Sequence, residues 1–212
     1  MAARSGQRST LSRLLLGADP ARRALYISGM TPAVLYFYWG LTNQLGADPQ
    51  NVLERALGLW ALRFLIASLA ITPLRQLGGP SLYRFRRALG LLAFYYAVLH
   101  LTVYMVLDKG LDLPSIVADI IKRPYITVGM LAFVILIPLA VTSNAAMIRR
   151  LGANWRKLHR LAYVAAAAAA LHFIMLVKVW PGEPLIYAGL VAALLLFRLA
   201  NSLRPRTRPA RY

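Results

Sequence analysis

The chain has 212 residues, of which 59% are hydrophobic and only 15% are charged, and its mean hydropathy is +0.56. This composition excludes an ordinary soluble domain of the same length and indicates a protein with several membrane-spanning segments. The formal net charge of +18 is compatible with nucleic-acid binding, but the basic residues lie between apolar segments, so we expect no nucleic-acid partner. The absence of cysteine excludes disulfides and cysteine-ligated metal centres built from this chain alone.

Six apolar segments are each about long enough to cross a bilayer, which takes roughly 20 residues of helix. In chain order they cover residues 26–42, 52–71, 88–107, 125–141, 158–177 and 184–200. The sequence therefore predicts an all-α fold, a membrane bundle of six transmembrane helices. It divides into a basic N-terminal segment (1–24), the six-helix domain (25–201) and a basic tail (202–212).

The charges alternate between the two ends of the predicted bundle. Counted with the adjoining ends of the spans, the segments before the first span, between the second and third, between the fourth and fifth, and after the sixth carry 19 of the 25 Lys and Arg residues and one acid, Asp19. The opposite junctions carry the other six acids. Because basic residues are retained on the cytoplasmic side, this pattern predicts that both termini are cytoplasmic.

A short amphipathic helix is predicted between the third and fourth spans. Apolar residues recur at helical spacing after Pro114, at Leu113, Ile116, Val117, Ile120 and Ile121. Such a helix lies on the membrane surface, where it either covers the mouth of the bundle, which we favour, or docks a partner.

The three histidines, His100, His159 and His172, all lie in apolar segments or at their edges. An imidazole at membrane depth is costly unless its lone pair is used, so each is a candidate for a functional site. The alternative for any single histidine is a hydrogen bond to a neighbouring helix.

Depth along the helices relates the histidines to one another. At 1.5 Å per residue, His100 lies about 18 Å from the cytoplasmic end of the third span and His172 about 21 Å from that of the fifth. Two imidazoles at one level favour the bis-axial ligation of a b-type haem, which suits electron transfer. His159 lies about 20 Å below His172 and is expected to serve a second position.

The run of alanines from Ala165 to Ala170 separates these two histidines on the fifth span. Its small side chains leave room either for a flat macrocycle or for a closely packed neighbouring helix. The sequence leaves both readings open.

The strings WRKLHRL at 155–161, YRFRR at 83–87 and ALRF at 61–64, together with His100 and His172, resemble the ferric reductase-like transmembrane family. The resemblance covers nearly the whole chain. It implies a multi-pass protein of the bacterial inner membrane, surrounded by membrane lipid, that passes electrons through haem b. By position, His100 and His172 would ligate an outer haem, and His159 would serve an inner one.

The resemblance also implies the redox partners. Electrons would come from the quinone pool or from a cytoplasmic flavin reductase, with FMN as a second cofactor. They would pass to a periplasmic molybdopterin methionine sulfoxide reductase subunit, which repairs oxidised methionine in envelope proteins. The chain itself would transfer electrons without transforming the sulfoxide.

The inner haem site departs from the family pattern. Larger relatives place a second histidine on the third span where this chain has Arg86 and Arg87. Three options follow: contact of the haem with Arg86, a haem with one ligand, or no inner haem, so the haem count is one or two. We favour an inner haem with Arg86 nearby.

Three further arginines are candidate cofactor contacts. Arg63 lies near the midpoint of the second span, where its guanidinium needs an anion, such as a haem propionate, or a structural cap of water and carbonyls. Arg75 and Arg156 belong to a cytoplasmic cluster with Arg84 and Lys157 that would suit a flavin phosphate. Positive-inside topology alone would also place basic residues there.

Other functions remain as alternatives: an electron conduit with a different acceptor, a transporter or a structural anchor. A transporter typically needs a polar pathway and broken helices, whereas these spans hold few acids and few interruptions beyond Pro32 and Pro138. A structural anchor has no need of three buried histidines. A reducible haem spectrum in the purified protein would distinguish an electron conduit from the other two.

Overall fold

The computed structural model describes residues 19–176 and 182–203, which are almost entirely helical. The long helices are α1 (Pro20–Leu41), α2 (Pro49–Gln76), α3 (Tyr83–Val103), α5 (Pro124–Val141), α8 (Leu161–Leu176) and α9 (Gly182–Leu203), and the shorter ones are α4 (Leu113–Lys122), α6 (Ala145–Leu151) and α7 (Ala153–Leu158). A π-helical segment, Tyr104–Asp108, continues α3. Most of the predicted basic segments 1–24 and 202–212 lies outside the described residues.

Three of the helices begin in the same way, with an aspartate cap and a proline at the first or second helical position. The side chains of Asp19, Asp48 and Asp112 accept hydrogen bonds from the first-turn amides of α1, α2 and α4 at 3.1, 3.2 and 3.5 Å. A carboxylate at this position satisfies an amide without a helical partner, and proline in the first turn removes another. These local signals fix where three helices start.

Five of the described helical stretches are long and apolar enough to cross a membrane, namely Pro49–Gln76, Tyr83–Asp108, Pro124–Val141, Ala153–Leu176 and Gly182–Leu203. They match five of the six predicted spans. Helix α1 has the required length, with 22 residues, but Ser28, Thr31 and its tyrosines lower its hydropathy. The multi-pass helical membrane fold is therefore confirmed, and the sixth crossing stays a prediction.

The bundle is built from two closely packed helix pairs, α2 with α3 and α5 with α8. Helix α1 packs on α3 and α2, and α9 packs on α8 and α2. The core between them contains the fully buried Leu57, Leu92 and Tyr96 and the alanines Ala165 and Ala166. The alanines are buried against protein, so close helix packing is one role they have.

The two ends of the bundle differ in charge, as the sequence predicts. One end, which we call the acidic end, carries the starts of α2 and α5 and the ends of α3 and α8, with all described acids except Asp19. The opposite end, the basic end, carries Arg75, Arg84, Arg86, Arg156 and Arg198.

The fifth predicted span differs from a single straight helix. A turn at His159 and Arg160 separates α7 from α8. At this turn the His159 side chain bonds Thr142 and stacks on Trp155.

Helix α4 confirms the predicted amphipathic segment. Ile116 is buried, whereas Leu113, Val117 and Ile121, farther round the same apolar side of the helix, are exposed. Asp119 ties α4 to the end of α3, since it accepts from Lys109 at 2.8 Å and from the Tyr104 hydroxyl at 3.1 Å. The hydrogen bond from Lys109 holds the pKa of the Asp119 carboxyl below its usual range, so the tie remains ionic at neutral pH.

Tyr96 joins α1 to α3 through the backbone of α1. Its buried hydroxyl donates to the Gly29 carbonyl at 2.7 Å and accepts from the Ala33 amide at 2.9 Å. In a regular helix the Ala33 amide would donate to the Gly29 carbonyl. The Tyr96 hydroxyl is therefore inserted into this one backbone hydrogen bond of α1, beside Pro32. The position of α1 therefore depends on one phenol.

We expect Tyr96→Phe to lower the free energy of unfolding by about 1 kcal/mol, because the bond to α3 is lost while Ala33 can bond Gly29 again. The thermal midpoint in detergent measures this change. Tyr95→Phe is the matched control, since Tyr95 is an exposed neighbour. Equal midpoints for the two variants would contradict the structural role of the Tyr96 hydroxyl.

Candidate functional site

His100 on α3 and His172 on α8 meet near the acidic end, with ring centroids 6.3 Å apart and ring planes inclined by 72°. Two imidazoles on opposite sides of one metal ion, with bonds of about 2 Å, would have centroids roughly 6 Å apart. The spacing therefore fits two axial ligands of one metal, as the depth argument predicts. Haem ligation by these residues stays a prediction.

Both imidazoles are held by a backbone carbonyl of the partner helix. His100 Nδ1 lies 2.9 Å from the Glu54 carbonyl oxygen on α2, and His172 Nδ1 lies 2.7 Å from the Tyr125 carbonyl oxygen on α5. A carbonyl oxygen can only accept, so Nδ1 carries the proton in both rings. The lone pair of each neutral imidazole is then on Nε2, which is the atom left for a metal.

A glycine makes room for each ring. A Cβ atom added at Gly58 would lie 3.1 Å from His100 Nδ1, and one added at Gly129 would lie 2.8 Å from His172 Nδ1. Each glycine follows its carbonyl residue by four positions, one helical turn, so it lies beside the carbonyl that the ring must reach. The two helix pairs thus use the same arrangement of carbonyl, glycine and histidine.

These glycines and carbonyls are the functional groups that sequence reasoning missed. The available signal was a lone glycine inside an apolar helical segment, which often marks a close approach of another group. Gly58 precedes His100 by 42 residues and Gly129 precedes His172 by 43, and this similar spacing was a second signal.

His159 lies at the basic end in a different environment. Its Nε2 is 3.0 Å from Thr142 Oγ1, and its ring stacks on Trp155 at 3.9 Å. Thr142 Oγ1 already donates to the Pro138 carbonyl at 2.6 Å, so it accepts from His159, and Nε2 carries the proton. The lone pair of His159 is then on Nδ1, unlike the other two histidines.

The remaining predicted site residues are spread over the bundle. Arg86 is close enough for its charge to act on His159, and Arg75 and Arg156 are exposed at the same end. Arg63 lies on α2, where Nε donates to the Tyr187 hydroxyl at 2.7 Å. None of these contacts tests the predicted binding of a propionate or a flavin phosphate.

We expect Gly129→Ala to disturb His172, because the new methyl group would overlap its ring and push Nδ1 away from the Tyr125 carbonyl. The expected result is loss or a spectral shift of bound haem, with a smaller effect for Gly58→Ala, whose clearance is larger. Gly189→Ala on α9 is the control, because nothing lies within 4 Å of its added Cβ. Unchanged haem content and spectrum in Gly129→Ala would contradict this placement of the ring.

Comparison with known proteins gives the family. Residues 57–170 match the model of the ferric reductase like transmembrane component, which covers both glycines and all but the last of the three histidines. The chain is also 58% identical over 186 residues to proteins named protein-methionine-sulfoxide reductase heme-binding subunit MsrQ from Brucella ovis, Brucella canis and Brucella abortus. The match covers 88% of this chain and 84% of each relative. The chain therefore belongs to the ferric reductase-like transmembrane family.

Proposed function

We propose that this protein is a membrane b-type cytochrome in which Nε2 of His100 and Nε2 of His172 bind the two faces of one haem. The observation that carries the proposal is the pair of imidazoles 6.3 Å apart, each with Nδ1 bound to a carbonyl. The relatives are named as haem-binding subunits, which supports the same cofactor here.

A haem held by His100 and His172 would supply one-electron transfer. The chain's own residues prepare the site for this role. The Glu54 and Tyr125 carbonyls fix the tautomer and orientation of the rings and increase the basicity of Nε2. Gly58 and Gly129 admit the rings close to the backbone. Because both imidazole rings are already fixed in this way, we expect little movement of them when the proposed haem gains or loses an electron.

In the proposed topology α1 also crosses the membrane, which gives six spans with both termini in the cytoplasm. The basic end then faces the cytoplasm and the acidic end faces the periplasm, in agreement with the positive-inside rule. A bacterial inner membrane is the setting that fits this arrangement and the relatives' bacterial origin.

The position of the histidine pair suits delivery to a periplasmic acceptor. His100 precedes the end of the π segment by eight residues, about 12 Å of helix, whereas the start of α3 is about 25 Å away. We propose that the acceptor is a periplasmic molybdopterin methionine sulfoxide reductase subunit. The support is the relatives' name, which places them in a protein-methionine-sulfoxide reductase.

The proposed electron donors are a quinol or a reduced flavin. For the flavin, the exposed Arg75 and Arg156 at the basic end would bind the FMN phosphate. An inner haem near His159 and Arg86 would shorten the distance from this end. Its ligation requires Nδ1 of His159, or release of the bond to Thr142 so that Nε2 becomes free.

The test is haem stoichiometry and reduced-minus-oxidised spectra of the purified protein and of three alanine variants. His100→Ala and His172→Ala should each remove the same spectral component, because each takes one axial ligand from the same haem. His159→Ala should leave that component intact and change only a second one, if the inner haem is present.

A wild-type protein that is folded, monodisperse and colourless would contradict the cytochrome proposal and would favour a transporter or an anchor. Loss of the same haem spectral component in all three variants would contradict the proposal that His159 serves a haem position separate from that of His100 and His172. The folded state of each variant is checked by its thermal midpoint, so that loss of haem is not confused with loss of structure.

A further inference from the structure

A cavity of about 360 Å³ lies between α1 and α2, away from the histidine pair. Its polar lining consists of the hydroxyls of Ser28 and Thr31 and the guanidinium of Arg63, and its aromatic lining consists of Tyr36, Trp39 and Trp60. This volume falls within the range of small-molecule sites. Of these residues, only Arg63 has a role predicted above, as a contact for a haem propionate.

The cavity lies near the middle of the membrane. Arg63 is the fifteenth of the 28 residues of α2, counting from Pro49, and therefore close to the centre of that helix. The cavity opens at the surface of the bundle, which at this depth contacts hydrocarbon. A molecule that reaches it must be soluble in lipid.

Arg63 supplies unused hydrogen-bond donors at this depth. Its Nε donates to Tyr187, and its guanidinium lies 4.9 Å from the centre of the Trp60 ring. Within residues 19–176 and 182–203, the Nη atoms of Arg63 have no acceptor, and no carboxylate is within ion-pair distance. By contrast, both Nη atoms of Arg198 are bound, to the Tyr163 hydroxyl and the Leu69 carbonyl.

A guanidinium at mid-membrane depth favours a ligand that brings an oxygen acceptor to it. The phosphate of a membrane lipid lies at the interface, too far from the bilayer centre to reach Arg63. A flat ring suits the aromatic lining, and a carbonyl or hydroxyl oxygen on that ring suits the Nη donors. Quinones are the lipid-soluble class that combines these features.

We propose that this cavity is a binding site for a molecule of the quinone class, with one ring oxygen accepting a hydrogen bond from Arg63. The inference rests on the proposed cytochrome function and assigns the place where a lipid-soluble donor binds. It also gives Arg63 a ligand other than a haem propionate.

Aromatic side chains connect the cavity to the histidine pair. Trp60 lines the cavity, and its ring lies 6.4 Å from that of Tyr96. Tyr96 precedes His100 by four residues on α3, so the two side chains lie on the same face of that helix. With haem bound, oxidation of a quinol in the cavity would release two electrons and two protons as the quinone forms. The electrons would pass singly to the haem, which the proposed periplasmic acceptor would reoxidise after each transfer, and the protons would be released to water.

The test uses the full-length, haem-loaded protein in lipid nanodiscs and a benzoquinol with a short alkyl tail. Haem reduction is followed as a function of quinol concentration under anaerobic conditions. Arg63→Gln should raise the half-saturating concentration about tenfold or more, the loss expected for one charge-assisted hydrogen bond. Haem content and reduction by dithionite should stay unchanged.

Two other variants complete the comparison. Trp39→Leu removes part of the aromatic lining and should also raise the half-saturating concentration, which keeps the proposal testable if Arg63→Gln fails to fold. Arg55→Gln is the matched control on the same helix, because Arg55 is paired with Glu183 at the acidic end and should behave as wild type.

Unchanged quinol saturation in both cavity variants would overturn the proposal. Loss of haem in Arg63→Gln, with a normal Trp39→Leu variant, would assign Arg63 to a haem propionate and overturn it as well. Wild-type haem that is reduced by FMN hydroquinone but not by quinol would overturn the cavity site and leave the cytochrome proposal intact.

A photoreactive quinone provides a readout that does not depend on haem. Labelling of peptides from α1 and α2, lost in Arg63→Gln, supports the site even if the wild-type protein proves colourless. Labelling confined to other helices would overturn it. Failure of the cytochrome proposal and failure of the cavity proposal therefore give different results.

Discussion

The hydrogen bond from an imidazole Nδ1 to a helical carbonyl is the interaction on which the proposed site depends. It is made twice, by His100 to Glu54 and by His172 to Tyr125, across the two helix pairs of the bundle. Each bond places the proton on Nδ1 and leaves Nε2 as the free base, which is the state a haem iron requires. In hydrocarbon, where a neutral imidazole without partners would be costly, the same bonds also offset the burial of the rings.

The close approach needed for these bonds explains why each pair has the same construction. A carbonyl inside a helix is already bonded to an amide one turn later, so a ring can reach it only if that later residue has no side chain in the way. Gly58 and Gly129 occupy those positions. The Tyr96 hydroxyl also bonds the backbone of a neighbouring helix, where it lies between the Gly29 carbonyl and the Ala33 amide of α1. Polar side chains in this bundle thus obtain partners from the helix backbone more than from one another.

The long helices, the charge difference between the ends and the meeting of His100 with His172 could be predicted, because they follow from hydropathy, topology and a rise of 1.5 Å per residue. The turn at His159 could not, since the side chain there bonds Thr142 at the end of a different helix, α5. For Gly58 and Gly129 the sequence offered a partial signal, a lone glycine in each apolar segment, but which side chain each glycine admits, and the partner of Tyr96, depend on which helices become neighbours. The depth of Arg63 in the membrane could be predicted from its position in the second span. The cavity that its guanidinium lines could not, because it is formed between two helices.

The central claim is that both axial ligands of one haem come from this histidine pair. Electron paramagnetic resonance of the oxidised protein tests it most directly, because a ferric haem between two imidazoles is low-spin and its spectrum depends on the angle between the ring planes. For planes inclined by 72°, we predict the strongly anisotropic low-spin signal of nearly perpendicular imidazoles, and its loss in His100→Ala and in His172→Ala. A high-spin signal, or a low-spin signal that survives either substitution, would contradict the account.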